Sequence, residues 1–345
     1  MSSRETALCS VGSNDRLAHA RVLFSSVAAQ HKDADLYLFL ADELNSEVDR
    51  AKENFEIIEA KELSLQGLVG MSFMYDGFEF GCSLKPFIVR HLLAAGYKKV
   101  VYLDTDIRVF GRLDLVLELL DTHSFVVTPH ITEPISSGEL AEILEHRVLV
   151  GGTFNAGFFA SARTPEAFRF LDWWAQKCRT SCFREAEKGL FVDQKWLDFA
   201  PSFLADLAVL KHRGCNIAHW NLHERAVSGA MVNGSIPLVF FHFSGFEVDD
   251  PYRIFNISKP KDWYSRDDGK GLAEIVDGYK EFLLSSGYEQ CRAWRHRYDY
   301  FDNGVKIGRL ARRFYPAVAE DYPDPFSVKD GSYYQMLKGR GLLGK

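Results

Sequence analysis

The sequence predicts an α/β fold with a doubly wound mixed sheet, and three observations lead to that prediction. Strand-like and helix-like segments alternate through the first hundred residues, which is typical of parallel strands joined by helical crossovers. The run 100–103 is continuously apolar, as expected for a strand that is covered on both faces. After Asp106 this alternation stops, and a glycine-bracketed apolar segment over residues 151–160 returns to the sheet.

The separate elements follow from local patterns along the chain. Apolar runs between turn residues predict strands over Ala7–Val11, Leu36–Leu40, Phe55–Ile58, Val100–Leu103, Phe125–Thr128, 151–160 and Pro237–Phe243. Helical spacing of apolar residues, or a polar face of helical length, predicts helices over Ala18–Gln30, Glu43–Asn54, Leu84–Ala95, Leu115–Leu120 and Pro165–Arg179. For the third helix, Ser83 is the expected N-cap and Pro86 falls in the first turn, where its missing N–H costs little.

Composition and charge argue against several classes of protein. The 345 residues are 47% hydrophobic and 26% charged, as in an ordinary globular chain, and a net charge of −6 gives no overall basic field that would attract nucleic acid. The six cysteines are scattered, without the Cys-x-x-Cys pairs of a zinc module, so we expect reduced thiols in a cytoplasmic protein. We recognise neither a signal peptide nor an apolar run of roughly 20 residues, which agrees with that expectation.

A shift in composition near Asp249 predicts two parts of the chain. We expect a main domain over residues 1–248 and a mostly helical extension over residues 249–345, which ends in a flexible glycine-rich tail from Gly339. Residues 289–313 of the extension form a basic block on an acidic protein. A solvated helix face is the ordinary explanation of such a block, and peripheral contact with a membrane is the alternative.

The most informative motif is Asp104-Thr105-Asp106, which directly follows the apolar run Val100–Leu103. Side chains two residues apart on a strand share one face, so the two carboxylates can converge where the strand leaves the sheet. Open α/β sheets bind their ligands at that edge, and hard oxygen ligands suit Mn²⁺ or Mg²⁺ carrying a diphosphate. The alternative is that Asp-x-Asp only ends a strand and begins a turn.

Two later segments support this hypothesis. His242, near the end of an apolar strand, offers an imidazole that can complete an octahedral site, and Gly245 would let the backbone approach a phosphate. A core histidine with satisfied hydrogen bonds is the alternative. Asn155-Ala156-Gly157 offers an amide and a glycine inside a strand, where a ligand often comes near the backbone, and a β-bulge is the alternative.

Two further positions suit the chemistry of a sugar phosphate. Asp193 and Gln194 place a carboxylate beside an amide, which can orient a sugar and stabilise positive charge at its anomeric carbon. An aspartate at a helix N-terminus is the alternative. Lys85 lies on the helix that leads into the Asp104 strand and can neutralise a departing phosphate, whereas a surface lysine is the default alternative.

Taken in order, these motifs resemble the family 8 retaining glycosyltransferases, a group of GT-A fold that includes glycogenin and bacterial lipopolysaccharide galactosyltransferases. The ordered set is much more specific than any one of its members. The resemblance spans roughly residues 6 to 246, over the segments Gly12-Ser13-Asn14-Asp15, Leu84-Lys85-Pro86, Tyr102–Asp106, Phe154–Gly157, Asp193-Gln194 and His242–Gly245.

The resemblance implies a role for each matched residue. Asp104, Asp106 and His242 would hold Mn²⁺ or Mg²⁺, and Asp193 and Gln194 would be the catalytic pair beside the anomeric carbon. The remaining donor-binding residues are Gly12, Asn14 and Asp15 beside uracil, Asn155, Ala156 and Gly157 around the sugar, and Lys85, Thr105 and Gly245 near the metal and the diphosphate.

The activity that the resemblance implies is metal-dependent transfer of a hexose from a nucleoside diphosphate sugar, with UDP expected as the carrier. The acceptor would be a hydroxyl group of a glycan or lipid-linked glycan, as in polysaccharide biosynthesis, and the anomeric configuration would be retained. A catalytically silent module that binds sugar nucleotides and a nucleotidyltransferase are the alternatives.

Two departures from the family pattern mark a divergent member. Residues 246–248 read Phe-Glu-Val where the family usually has Lys-Pro-Trp, whose lysine contacts the diphosphate. That contact is therefore lost, or it is supplied elsewhere by Lys85 or Arg253. Residues 16–17 read Arg-Leu where the family often has a tyrosine.

Overall fold

A computed structural model describes residues 4–135, 138–256 and 270–343 of the chain. The strands are β1 (Arg4–Gly12), β2 (Asp35–Leu40), β3 (Glu56–Glu59), β4 (Tyr97–Leu103), β5 (Ile107–Val109), β6 (Phe125–Pro129), β7 (Phe154–Ala162), β8 (Arg184–Glu185), β9 (Leu190–Phe191), β10 (Leu207–Val209), β11 (Val227–Ser228), β12 (Met231–Val232), β13 (Ile236–Pro237) and β14 (Phe240–His242). The helices are α1 (Leu17–Gln30), α2 (Leu68–Met74), α3 (Gly77–Ala94), α4 (Asp114–Leu119), α5 (Glu139–Gly151), α6 (Pro165–Thr180), α7 (Ala200–Phe203), α8 (Lys270–Ser285), α9 (Tyr288–Cys291), α10 (Arg309–Phe314) and α11 (Tyr333–Gly339).

The central sheet has seven strands in the order β10-β6-β7-β4-β1-β2-β3, and within it only β7 runs antiparallel to its neighbours. This arrangement confirms the predicted doubly wound mixed sheet. Because alternate residues of a strand face opposite sides, Ala7 and Cys9 join the apolar core beneath α3 and α6, whereas Leu8 joins the core beneath α1. Both faces of the sheet are therefore buried, and ligands can approach it only at the ends of its strands.

A short antiparallel ribbon brings a distant part of the chain to the end of β4. Strands β5 and β14 pair with His242 opposite Ile107. The backbone N–H of Phe243 donates to the carbonyl of Asp106 at 2.8 Å, and the N–H of Asp104 donates to the carbonyl of Gly157 at 2.8 Å. The ends of β4, β7 and β14 therefore meet at one point.

The predicted helix over Glu43–Asn54 is wrong, because this segment contains only the short 3₁₀ turn Arg50–Lys52. Nearby side chains accept hydrogen bonds from the backbone amides at its start, which competes with helix formation. These bonds run from the N–H groups of Glu43, Leu44 and Asn45 to the side chains of Asp42, Glu59 and Asn14, respectively.

Helix α3 begins earlier than the predicted start at Leu84. Asp76 caps the helix by accepting from the N–H of Glu79, and the Glu79 carboxylate accepts from the N–H of Asp76 in return. Ser83 lies within the helix, where its hydroxyl donates to the carbonyl of Phe80 at 2.7 Å. The assignment of Ser83 as the N-cap is wrong because this capping box lies upstream, and Pro86 consequently sits inside the helix.

The described residues of the predicted C-terminal extension pack against the rest of the chain. Phe301, Tyr315 and Tyr333 surround Phe73 of α2 in the main core. Leu342 and Leu343 pack against the same core, whereas residues 257–269 and the last two residues of the predicted tail, 344–345, lie outside the described residues. The division at residue 249 and the flexibility of the tail stay predictions.

Several side chains of the basic block at 289–313 bind carboxylates of this chain. Arg312 is 4% exposed and donates to three backbone carbonyls and to Asp299. Arg313 binds Glu79 at 2.5 Å and Glu185 at 2.7 Å. Peripheral membrane contact through this block stays a prediction. Among the described residues, no helix combines the length and the apolar character needed to cross a bilayer.

Replacing Arg312 with Met should destabilise the protein by about 3 kcal/mol, because the buried carbonyls and Asp299 lose their donor. The free energy of unfolding in urea measures this loss. Arg309→Met is the matched control, since the Arg309 side chain is 68% exposed and lies 3.6 Å from Glu185. We expect that control to change stability by less than about 0.5 kcal/mol, and equal losses in the two variants would contradict an anchoring role for Arg312.

Candidate active site

Asp104, Asp106 and His242 come together where β4, β5 and β14 meet. One ligand atom from each residue lies within 4.8 Å of the other two, and Nε2 of His242 is 3.1 Å from Oδ1 of Asp106. The side chains of Asp104 and Asp106 are each 28% exposed, whereas that of His242 is 4% exposed. The imidazole therefore closes the buried side of the group, and the carboxylates face the open side. These three side chains could hold a metal ion.

Two asparagines fix the orientation of His242. Its Nδ1 lies 3.2 Å from Oδ1 of Asn155 and 3.3 Å from Oδ1 of Asn216, and both oxygens only accept hydrogen bonds. Nδ1 must therefore carry a proton, and Nε2 is the nitrogen that faces Asp106. Support of this kind from a residue behind the ligand is usual for metal-binding histidines.

The pKa values of this pair favour positive charge at Nε2. Burial lowers the pKa of His242, but the Asp106 carboxylate outweighs burial, and the net shift is upward. Burial in turn raises the pKa of Asp106, but His242 outweighs it and holds the pKa below its usual range. Either a proton or a metal cation between the two groups would supply this charge.

Lys85 lies beneath Asp104 and is 5% exposed, so it is not the surface lysine of the default alternative. Its Nζ is 3.0 Å from Oδ1 of Asp104, 3.5 Å from Oδ2 of Asp193 and 3.2 Å from the carbonyl of Ala156. Burial lowers the pKa of Lys85, but the two carboxylates raise it well above its ordinary value. The hydroxyl of Tyr102 also donates to Oδ1 of Asp104 at 2.6 Å, which leaves Oδ2 for a cation.

Asp193 is 1% exposed and lies below the site rather than in its wall. Its carboxylate lies 3.5 Å from Nζ of Lys85 and interacts with the Cys82 thiol, and it accepts no closer hydrogen bond from a described residue. Burial raises the pKa of Asp193 to about 6, and Lys85 opposes that shift. A buried carboxylate of this kind is often functional, because structural carboxylates are normally paired more fully.

Gln194 uses both ends of its amide inside the protein. Oε1 accepts from Nδ2 of Asn155 at 3.1 Å and from the N–H of Ala156 at 3.0 Å, while Nε2 donates to the carbonyl of Gly151 at 2.9 Å. Gln194 thus holds β7 against the 3₁₀ segment Gln194–Phe199. The predicted role of this residue at the anomeric carbon is untested and stays a prediction.

Asn155, Ala156 and Gly157 are buried within β7, and their polar groups contact protein atoms. Asn155 Oδ1 faces His242, so this amide positions a ligand of the candidate metal site. A methyl group at Gly157 would lie 2.8 Å from Nδ1 of His242 and closer still to the adjacent ring carbon. The glycine is therefore required because the His242 side chain approaches the backbone here, and the predicted contact of Gly157 with a donor sugar stays a prediction.

The loop after β1 divides between cavity wall and support. Gly12 and Asp15 line the cavity described below, whereas Asn14 is 3% exposed. Nδ2 of Asn14 donates to Asp42 at 2.7 Å, and its Oδ1 accepts from the N–H of Asn45 at 2.9 Å. This amide therefore joins two loops, and its predicted place beside uracil stays a prediction.

A cavity of about 590 Å³ opens in front of the acidic pair. The sequence predicted part of its wall, namely Gly12, Asp15, Lys85, Asp104, Thr105, Asp106 and Gly245. Sequence reasoning missed other lining residues, which include Arg16, His19, Asp76, Phe243, His296 and Asp299. Arg16 directly follows the predicted loop and could have been found from its position. His296 and Asp299 carry no local signal, because only the folding of the extension brings them to the cavity.

The donor set of the candidate metal site fits Mn²⁺ or Mg²⁺. It consists of carboxylate oxygens and one imidazole nitrogen, and it contains no thiolate; the buried free thiol of Cys82 lines the adjacent cavity but is not part of the group. Fold and site together define an α/β protein with an acidic cleft at the carboxyl end of a central strand.

Comparison with known proteins adds two relatives, and no family model matches the chain. The uncharacterised protein YfnF of Bacillus subtilis strain 168 is 27% identical over 266 residues, which cover 74% of this chain and 84% of YfnF. The uncharacterised protein YfnD of the same strain is 26% identical over 214 residues, which cover 60% of this chain and 64% of YfnD.

Three solved structures are also similar to this chain. The glycosyltransferase GlyE of Streptococcus pneumoniae TIGR4 has a TM-score of 0.46 at 15% identity, over 87% of this chain and 67% of GlyE. The galactosyltransferase LgtC, in complex with donor and acceptor sugar analogues, has a TM-score of 0.46 at 13% identity, over 81% of this chain and 95% of LgtC. Mouse xyloside xylosyltransferase 1 has a TM-score of 0.37 at 16% identity, over 60% of this chain and 85% of that protein.

Replacing Gly157 with Ala should weaken Mn²⁺ binding at least about 10-fold, because the added methyl group displaces the His242 ring. Isothermal titration with Mn²⁺ measures the affinity, and circular dichroism checks that the fold is kept. Gly339→Ala is the control, since a methyl group at Gly339 would meet no atom within 4 Å. An unchanged Mn²⁺ affinity in Gly157→Ala would contradict this account of the glycine.

Replacing Asp193 with Asn should stabilise the metal-free protein above pH 6. The pKa of Asp193 is about 6 in the folded chain against an ordinary 3.8, so between these values the folded state keeps a proton that the unfolded chain has lost. The wild-type free energy of unfolding therefore falls relative to the variant as pH rises from 3.8 to 6, and the difference is constant above that. We expect a gain of about 3 kcal/mol at pH 7.5, measured by urea unfolding, and a pH-independent difference would contradict the argument.

Proposed function

We propose that this chain is a metal-dependent glycosyltransferase that moves a hexose from a nucleoside diphosphate sugar to a hydroxyl acceptor. The observation that supports the proposal most directly is the meeting of Asp104, Asp106 and His242 beside a cavity of about 590 Å³. A cavity of this size is typical of small-molecule sites. The acidic pair also stands at the edge of the sheet where open α/β folds bind ligands.

In this proposal the three side chains hold Mn²⁺ or Mg²⁺. When bound, the cation would neutralise charge on the leaving diphosphate. Asp104 offers the oxygen that Lys85 does not use, and His242 offers Nε2, because Asn155 engages the other nitrogen. Lys85 keeps the Asp104 carboxylate in position from the buried side.

We further propose that the donor carries UDP and that the transfer retains the anomeric configuration. Both points rest on the resemblance of the ordered motifs, from Gly12 to Gly245, to the family 8 retaining glycosyltransferases. The same resemblance supports a glycan or lipid-linked glycan as the acceptor. Gly12 and Asp15 are in the cavity wall, where a base would be within reach of the loop after β1.

The contacts of Asp193 and Gln194 favour supporting roles for this pair. A carboxylate that is 1% exposed is poorly placed to attack a sugar, but its charge can stabilise an oxocarbenium-like transition state from below. We therefore assign Asp193 an electrostatic role. Gln194 holds the segment that carries Asn155, and we assign it the role of positioning that strand.

Replacing Asp106 with Asn tests the proposed activity, because the variant keeps the shape of the side chain and removes its charge. With UDP-glucose or UDP-galactose and Mn²⁺, we expect the release of UDP to fall at least about 100-fold. Asp172→Asn is the control, since Asp172 is exposed and pairs with Arg90 outside the cavity. Circular dichroism at the assay temperature should show that all three proteins are folded, since Asp106→Asn also loses its pairing with His242.

The outcomes of this experiment separate the alternatives. Near-normal turnover in Asp106→Asn would refute the metal site. Wild-type protein that binds UDP-sugars with Mn²⁺ but releases no UDP, with or without sugar acceptors, would be a silent binding module. Proton NMR of a product made from an α-linked donor checks the stereochemistry, and a β-linked product would rule out retention.

A further inference from the structure

The charges around the cavity are unevenly compensated. Five carboxylates line it, and they belong to Asp15, Asp76, Asp104, Asp106 and Asp299. Lysine and arginine contribute only Lys85 and Arg16 to the described lining. The Lys85 ammonium group lies within 3.5 Å of two carboxylates and one backbone carbonyl of the protein, so its charge is already engaged on the buried side.

Arg16 keeps most of its hydrogen-bonding capacity. Its side chain is 53% exposed in the cavity wall, with Nε 3.9 Å from Asp15 and Nη1 3.4 Å from Nε2 of His19. A guanidinium group has five N–H donors in a planar fork that fits phosphate oxygens in pairs. Arg16 is therefore the lining cation that can bind an incoming anion.

Two buried polar atoms near this part of the cavity wall have no hydrogen-bond partner among the described residues. His19 is 3% exposed and lines the cavity, and its Nδ1 makes no hydrogen bond to any described residue. The hydroxyl of Tyr279 also has no partner among the described residues. The Tyr279 ring stacks on Phe243 of the cavity wall, with the two ring centroids 3.7 Å apart. Buried polar atoms normally have partners, so Nδ1 of His19, a residue of the cavity wall, is an unused hydrogen-bonding atom next to Arg16.

The local backbone supports the same conclusion. Arg16 is the N-cap residue of α1 and His19 lies in its first turn. This helix has 14 residues, and its N-terminus carries no acidic side chain and is not capped by a side chain. The positive end of this helix therefore adds to the charge of Arg16. Arg253, the other arginine considered for this contact, pairs with Glu247 outside the described lining of the cavity.

We propose that Arg16 and His19 form an anion subsite beside Asp106 that binds the phosphate groups of the donor. The subsite deepens the proposed function, on which it rests, and it replaces the diphosphate contact that the residues after Gly245 do not provide. Arg16 binds phosphate oxygens that a cation on the acidic pair leaves free, and His19 adds a hydrogen bond from the helix.

Inorganic pyrophosphate, UDP and uridine, each titrated calorimetrically in the presence of Mg²⁺, test the subsite. In Arg16→Gln we expect pyrophosphate and UDP to bind at least about 10-fold more weakly, because charge-assisted bonds to phosphate are lost, while uridine binding changes little. Arg16→Lys keeps the positive charge but not the planar fork of donors, so its pyrophosphate affinity should lie between those of the wild-type protein and Arg16→Gln. Arg253→Gln tests the rival arginine, and Arg90→Gln is a control outside the cavity.

Each result supports or overturns the subsite. If pyrophosphate and UDP bind Arg16→Gln as tightly as the wild-type protein, the subsite is overturned. UDP-sugar turnover of the wild-type protein, measured separately, would then still support the proposed function. A loss confined to Arg253→Gln also overturns it. If Arg16→Gln binds pyrophosphate more weakly but the wild-type protein shows no UDP-sugar turnover, the anion subsite is supported and the proposed transferase activity is contradicted.

If Arg16→Gln fails to fold, His19→Gln replaces it. We expect His19→Gln to bind pyrophosphate more weakly, and an unchanged affinity would overturn the subsite. Wild-type protein that binds neither pyrophosphate nor UDP overturns both.

Discussion

The buried ammonium group of Lys85 is the contact on which the rest of the site depends. Lys85 lies on helix α3 and contacts Asp104 at the end of β4 and the carbonyl of Ala156 in β7. It also contacts Asp193, which directly precedes the 3₁₀ segment Gln194–Phe199. A buried cation without partners is costly, so these four parts of the chain cannot be placed independently. The strands bring the acceptors into range, and Lys85 sets the distances between them.

This arrangement leaves the site with unbalanced negative charge on its open side. Lys85 compensates Asp104 and Asp193 from below, and His242 compensates Asp106 when it is protonated. The carboxylate oxygens of Asp104 and Asp106 that face the cavity have no positively charged partner of this kind. In the proposed function, a cation from solvent would complete the balance, and Arg16 in the cavity wall would bind the anion that accompanies it.

Local sequence patterns were sufficient for β4 and the motif at its end, but they were wrong for the helix over Glu43–Asn54 and for the cap at Ser83. The continuous apolar run of β4 identified a buried strand, and the residue types of Asp104, Asp106 and His242 identified a candidate metal site that the fold does bring together. They could not reveal that Asn155 and Gln194 point at protein atoms. These contacts depend on His242 and Gln194, which come from distant parts of the chain, and the sequence of β7 does not indicate which side chains will pack beside it.

The basic block shows the same limit for a whole segment, because a run of arginines does not name its partners. In the structure, Arg313 binds Glu79, the residue that completes the cap of α3, and Arg312 binds Asp299 in the cavity wall. Helix α3 also carries Lys85, so the extension holds the start of the same helix whose middle supports the acidic pair. The composition changes near residue 249, but the support of the site continues across that point.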